Sequence, residues 1–166
     1  MIEEAKLNDY YSAIADKLDE MIPFEWERIV LRAEESGSVS SAGFYFYTNN
    51  NEVHWSDGIP ELYKINEREF RTKRRELFGI IKELWQEFNN AGEPAWHVFV
   101  FKLDSERKFS AKFDYEINSD IETLERRIRW AYDELGIIPQ GEHGRKLLKE
   151  YLESQRREIP VELQDK

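Results

Sequence analysis

The stretch Lys108-Phe109-Ser110-Ala111-Lys112-Phe113-Asp114-Tyr115 alternates without a break. Phe109, Ala111, Phe113 and Tyr115 fall on one side, and Lys108, Ser110, Lys112 and Asp114 on the other. A period of two sends successive side chains to opposite faces of a sheet, so this segment reads as a strand with one dry face and one wet face. Residues 96 to 103 form a second apolar run before it, and Asp104-Ser105-Glu106-Arg107 supplies the turn between them. The pair is an antiparallel hairpin. A sheet that is wet on one face gathers its helices on the other.

Upstream of the hairpin, Phe70, Leu77, Ile81, Leu84 and Phe88 make one stripe of a long helix over residues 67 to 90. Asn66 and Glu69 stand three apart, the spacing of a reciprocal cap, and Gly92 with Pro94 ends the helix. Before it, Asp57-Gly58-Ile59-Pro60 reads as a break in regular structure. Residues 26 to 33 and 39 to 48 alternate as two strands about Ser36-Gly37-Ser38, and Asn49-Asn50-Asn51 turns the chain into a short third strand at 53 to 55. Phe44-Tyr45-Phe46-Tyr47 places aromatics on both faces, which predicts a central strand. The first helix carries Leu7, Tyr11, Ile14, Leu18 and Met21 and stops at Pro23.

Downstream, Ser119-Asp120-Ile121-Glu122 has capping-box spacing and predicts a helix to Gly136, with Leu147, Leu148, Tyr151 and Leu152 on a last helix. These elements predict an α+β fold. One domain over residues 1–158 is expected, its antiparallel sheet of about four to five strands carrying helices mainly on one face, with a frayed tail at 159–166. Trp85, Trp96 and Trp130 lie in periodic segments and read as packing residues.

Composition narrows the function. With no Cys among 166 residues, a disulfide framework, a thiolate nucleophile and a Cys-based zinc site are all excluded. No apolar run approaches the roughly 20 residues of a membrane span, and the start of the chain lacks the pattern of a signal peptide, so a cytoplasmic location is expected. The net charge is -10. Residues 1 to 61 hold 13 Asp/Glu against 4 Lys/Arg, whereas residues 62 to 166 hold 21 against 20. A field of that sign repels nucleic acid and anionic membrane, and steers a basic protein partner toward the N-terminal third.

Chemistry-bearing motifs are sparse. His54, His97 and His143 are far apart and stand in no HExxH or HxH pattern, and the glycines form neither GxGxxG nor GxxxxGK. No cofactor or metal is expected. Asp114 and Glu116 would share a strand face about 7 Å apart if the strand continued, which is the best carboxylate pair for a hydrolase. The basic runs Arg71 to Arg75 and Arg126 to Arg129 lie on helices and are interleaved with acids.

Met21-Ile22-Pro23 followed by Trp26, Gly43-Phe44-Tyr45-Phe46, Ile59-Pro60, Glu93-Pro94-Ala95-Trp96, Phe113-Asp114-Tyr115 and Trp130 with Leu135-Gly136 together resemble the YezG family of antitoxin or immunity proteins. The resemblance runs over residues 5 to 138. It implies a compact α/β protein that binds a secreted, often nuclease-type toxin of bacterial competition and needs no active site of its own. It carries over no catalytic residues, and it implies a scaffold role for Phe113-Asp114-Tyr115.

Partner contacts are therefore sought in this chain's own acidic third. Asp16, Asp19 and Glu20 share the first helix, Glu34 and Glu35 lie at a strand end, and Trp55, Asp57 and Glu61 come close together in sequence. Carboxylates can cover a cationic, phosphate-binding cleft while an aromatic such as Trp55 supplies a buried anchor. The competing readings are a housekeeping interaction domain without a toxin partner and the Asp114/Glu116 hydrolase.

Overall fold

A computed structural model describes residues 1–37 and 40–164 of the chain. It contains helices α1 (Glu4–Met21), α2 (Ile59–Tyr63), α3 (Glu67–Asn90), α4 (Thr123–Leu135) and α5 (Glu142–Ser154), and strands β1 (Arg28–Glu35), β2 (Ser40–Tyr47), β3 (Val53–Trp55), β4 (Val98–Asp104) and β5 (Phe109–Asp114). The fold is α+β, as the patterning predicts. Contacts gather the chain into two compact units, Met1–Ile117 and Asn118–Lys166.

In the first unit the five strands lie in the order β3-β2-β1-β4-β5, every neighbour antiparallel. Leu31 stands between Phe44 and Phe101, Ile29 between Phe46 and Leu103, and Ala33 between Ala42 and Phe99, so one face of three adjacent strands is a continuous apolar surface. Onto it α1 sets Ile14, Leu18 and Met21, and α3 sets Phe70, Leu77, Ile81, Leu84 and Phe88. Each such side chain, fully buried, contributes about 1.5–3 kcal/mol of transfer free energy, and this layer dominates the stability of the unit. The two helices run antiparallel. Lys6 pairs with Glu87 at 2.9 Å, Lys17 with Glu76 at 2.6 Å, and Lys73 donates to the Glu20 carbonyl at 3.4 Å, in the order that direction requires.

Trp96 is completely buried among Phe88, Phe99 and Phe113, and the Trp85 indole N–H donates to its carbonyl at 2.9 Å. Both tryptophans are packing residues, as read. The Asn66 cap also forms: its Oδ1 accepts from the Arg68 and Glu69 amides at 2.8 and 3.1 Å.

Details at residues 57 to 60 and at Tyr115 differ from the sequence reading. The aromatic β2 is an interior strand, paired with β1 on one side and β3 on the other, and Phe44 to Tyr47 are buried on both faces as expected; β1 is the middle strand of the five. Trp55 lies across Gly43 and against Tyr45, and the Arg28 guanidinium lies 3.9 Å from the Tyr47 ring centre, so the second face at β2 is covered by local side chains. The Asp57-Gly58-Ile59-Pro60 break is helical instead: a 3-10 turn at Ser56–Gly58 runs into α2. Pro60 sits in the first turn, where its missing N–H would have had no intrahelical partner. Tyr115 lies past the end of β5 and is exposed rather than inward. Of the expected turn at Ser36-Gly37-Ser38 and the strand start at Val39, Ser38 and Val39 lie outside the described residues.

In the second unit α4 begins at Thr123, and its N-cap Glu122 makes no side-chain cap. The Ser119 capping box is therefore a misreading. Residues 118 to 121 form a turn in which Asn118 Oδ1 accepts from the Asp120 amide at 3.0 Å, while Arg126 donates to the Asn118 carbonyl at 2.9 Å. The guanidinium of Arg126 holds the turn by donating to its carbonyls. At the other end Gly136 has φ +68, and the Gly136 and Ile137 amides donate to the carbonyls of Tyr132 and Ala131. That left-handed stop is the one the glycine announced. Ile128, Leu148, Tyr151 and Leu152 form this unit's core. Leu163, in the segment read as a tail, is buried with them on a 3-10 turn at Val161–Leu163.

Candidate partner-binding surface

The acids singled out by sequence divide into three groups. On α1, Asp16, Asp19 and Glu20 are exposed, because Ile14, Leu18 and Met21 turn the opposite side of the helix into the core. Each already holds a neighbour. Asp16 pairs with Arg107 of the β4–β5 turn at 2.5 Å, Asp19 accepts from the Trp26 indole N–H at 2.9 Å, and Glu20 pairs with Lys17 at 3.0 Å. The Lys17 ammonium is held above its ordinary value chiefly by its hydrogen bond to Glu76, with Glu20 adding to it.

Glu34 and Glu35, by contrast, are buried. Glu34 accepts from Arg32 at 2.6 Å along the same strand face. Glu35 accepts from the Gly37 amide at 3.1 Å, from Ser40 Oγ at 2.7 Å and from Lys82 of α3 at 3.2 Å, which ties the β1–β2 turn to the long helix. A buried carboxylate needs hydrogen-bond partners, and these are intramolecular. The structure does not bring Glu34 and Glu35 onto an open face with the α1 acids.

The third group surrounds the short β3. The Trp55 indole packs 4.7 Å from Tyr45 and so close over Gly43 that a Cβ there would lie 2.3 Å from the ring. Glycine at 43 is what admits the indole. Asp57 is exposed and pairs with Arg74 of α3 at 3.3 Å, and Glu61 is exposed on α2. Ser56, directly after Trp55, is buried, accepts from the Phe44 amide through its Oγ at 3.2 Å and so fixes the chain where it leaves β3.

Two exposed apolar residues carry little signal in the sequence. Phe24 is 63% exposed, Leu62 of α2 is 46% exposed, and the rings of Phe24 and Tyr63 lie 4.9 Å apart. The only signal was an aromatic placed directly after Pro23, outside any periodic segment. Among the described residues, no cation stands within ion-pair distance of Glu25 or Glu61, which flank this corner.

The enzyme alternative fares differently. β5 ends at Asp114, so Asp114 and Glu116 do not share a strand face as the expected pair would. Asp114 accepts the His97 amide through its backbone carbonyl at 2.8 Å, and the His97 ring Nδ1 lies 3.2 Å from the Glu35 carbonyl. His54 is on β3, beside Thr48 and Glu52. Among the described residues, no three His, Asp or Glu side chains gather as a metal site, and no helix is long and apolar enough to cross a membrane.

Fold and surface together define a small acidic α+β protein that presents its carboxylates on a helical layer and around a short edge strand. The family model for YezG-like immunity proteins matches residues 7–149, and the chain belongs to that family. It is 32% identical over 149 residues to the immunity protein YezG of Bacillus subtilis, an alignment covering 88% of this chain and 99% of that one. It is also 32% identical over 156 residues to the immunity protein YezG of Bacillus spizizenii, covering 92% and 97%. The type VII secretion system protein EsaG of Staphylococcus aureus is 29% identical over 157 residues, covering 90% and 94%.

Proposed function

We propose that this chain is a cytoplasmic immunity protein that binds a cognate toxin, of nuclease type, and neutralises it by stoichiometric occlusion. The observation that carries the reading is its likeness to proteins named immunity protein YezG over nearly the whole length of both chains. The surface chemistry is in accord with it. A nuclease grips phosphate with a cationic cleft, and carboxylates on a rigid scaffold can occupy such a cleft in place of phosphate. The exposed acids Asp16, Asp19, Glu20, Asp57 and Glu61 are the charges available for that task, with steering by the acidic N-terminal third setting the encounter rate.

The test is a pull-down of the tagged chain from its own cells, with the bound protein identified by mass spectrometry and then expressed alone and together with this chain. A bound toxin domain that halts growth alone and not in company supports the proposal. A bound housekeeping protein, with no toxin recovered, would replace it.

A further inference from the structure

The corner formed by the end of α1, the Pro23 to Glu27 segment and α2 joins an exposed apolar centre to uncommitted negative charge. Phe24 leaves much of its ring in water, which costs the folded chain apolar burial it could have made inward. The ring is not loose. It leans on Tyr63 at an interplanar angle of 36°, Tyr63 in turn lies 6.4 Å from the core residue Phe46, and α2 is pinned by the fully buried Ile59. Pro23 fixes φ immediately before it. An exposed aromatic seated on a side chain that is itself packed on the core is what an interface anchor requires.

The surrounding charge selects the occupant. Residues 18 to 27 hold four carboxylates and no Lys or Arg, and Glu61 adds a fifth from α2. Asp16, Glu20 and Asp57 already neutralise Arg107, Lys17 and Arg74, whereas Glu25 and Glu61 have no such counter-ion among the described residues. Nucleic acid and anionic lipid are repelled by this rim, and a second copy of a chain with net charge -10 would bring like charges together. A basic protein surface is attracted.

We infer that this corner is the anchor of the partner interface: Phe24, Leu62 and Tyr63 bury against a basic protein, and Glu25 and Glu61 pair with its arginine or lysine side chains. The identity of that protein rests on the toxin reading above; the location does not use it. It moves the anchor from Trp55, which is engaged with Gly43 and Tyr45, to Phe24.

The experiment measures binding kinetics between the full chain and the toxin domain recovered by pull-down, at low and high salt. Three proteins are compared: the unmodified chain, Phe24→Ser/Leu62→Ser, and Glu25→Lys/Glu61→Lys. Because all four positions are exposed, both variants should melt with the unmodified chain, which the same samples verify. The apolar double variant should dissociate at least about thirtyfold faster, as expected for removal of a buried anchor. The charge-reversed variant should associate more slowly, with a weaker dependence on salt. Binding of Phe24→Ser/Leu62→Ser within twofold of the unmodified chain overturns the location while leaving the toxin reading intact. Failure of the unmodified chain to bind the toxin domain removes the reading and this assignment together. Concentration-dependent dimerisation that the apolar double variant abolishes would overturn it in favour of self-association.

Discussion

Replacing Gly43 by alanine should destabilise the protein only while Trp55 is present. A Cβ at position 43 would stand 2.3 Å from Trp55 Cη2 and 2.4 Å from Cζ2. Carbon atoms in contact settle at about 3.5–4.0 Å, so the indole must withdraw by more than about 1 Å, and its packing on Tyr45 resists that. Overpacking of this kind costs about 1–3 kcal/mol. Alanine recovers about 0.5–1 kcal/mol of the backbone entropy a strand glycine gives up, so the net loss for Gly43→Ala should be about 1–2 kcal/mol. With Trp55→Ala already in place the obstruction is gone, only the backbone gain remains, and the same change should stabilise by about 0.5 kcal/mol. Urea melts of the four proteins, followed by far-UV circular dichroism, close the cycle. A reversal of sign between the two backgrounds is expected. An equal effect of Gly43→Ala in both would refute the claim that glycine is there to admit the indole.

The remaining predictions concern caps, the buried clamp and alkaline pH. Asn66→Ala should cost about 1 kcal/mol because two amides at the start of α3 lose their acceptor, whereas Ser119→Ala should change stability by less than about 0.5 kcal/mol; equal urea midpoints for the two variants would contradict this assignment of the caps. Glu35→Ala should cost about 2–3 kcal/mol, since Lys82, Ser40 Oγ and the Gly37 amide all lose their partner in one step; a melt indistinguishable from that of the unmodified chain would rule the clamp out. Burial raises the phenols of Tyr11, Tyr63 and Tyr151 above their ordinary value of 10.0, with Asp133 adding to the effect at Tyr151. The unfolded chain then ionises first as pH climbs past about 10, so this stabilisation is whole below that pH and is lost above it. Urea midpoints should fall between pH 9 and about pH 11, and a rise would contradict the direction.

The sheet was legible because its strands carry their own period: Ala111 and Phe113 pack against the core as the alternation requires, whereas Phe109 at the start of β5 is 44% exposed and meets the rings of Tyr11 and Phe101. The long helix was legible because Asn66 and the Phe70 to Phe88 stripe are local signals. What failed depended on contacts between distant residues. Ser119 stood at capping spacing, but Arg126 reaches back to hold that turn, and nothing in a four-residue pattern reveals a guanidinium several positions away. Strand order is not legible for the same reason: β1 pairs with β4, some seventy residues further on, and no local pattern announces that partner.

At the candidate surface, helical spacing placed Asp16, Asp19 and Glu20 on the exposed side of α1, yet charge counting could not distinguish them from Glu34 and Glu35, which long-range and local partners draw into the interior. The intramolecular packing of Trp55 is not legible, because Gly43, the residue that makes room for it, lies on another strand. Nor is the contact of Phe24 with Tyr63, because Asp57-Gly58-Ile59-Pro60 has the composition of a break and yet opens the helix that carries Tyr63.

The central claim, inhibition by one-to-one occlusion of a toxin, is tested most directly by titrating the activity of the recovered toxin domain with this chain at concentrations well above the dissociation constant. Activity should fall linearly and reach zero at one equivalent. Loss of activity at a small fraction of an equivalent would mean that the chain acts catalytically on the toxin, and activity that survives saturating chain would mean that it does not inhibit; either result contradicts the account.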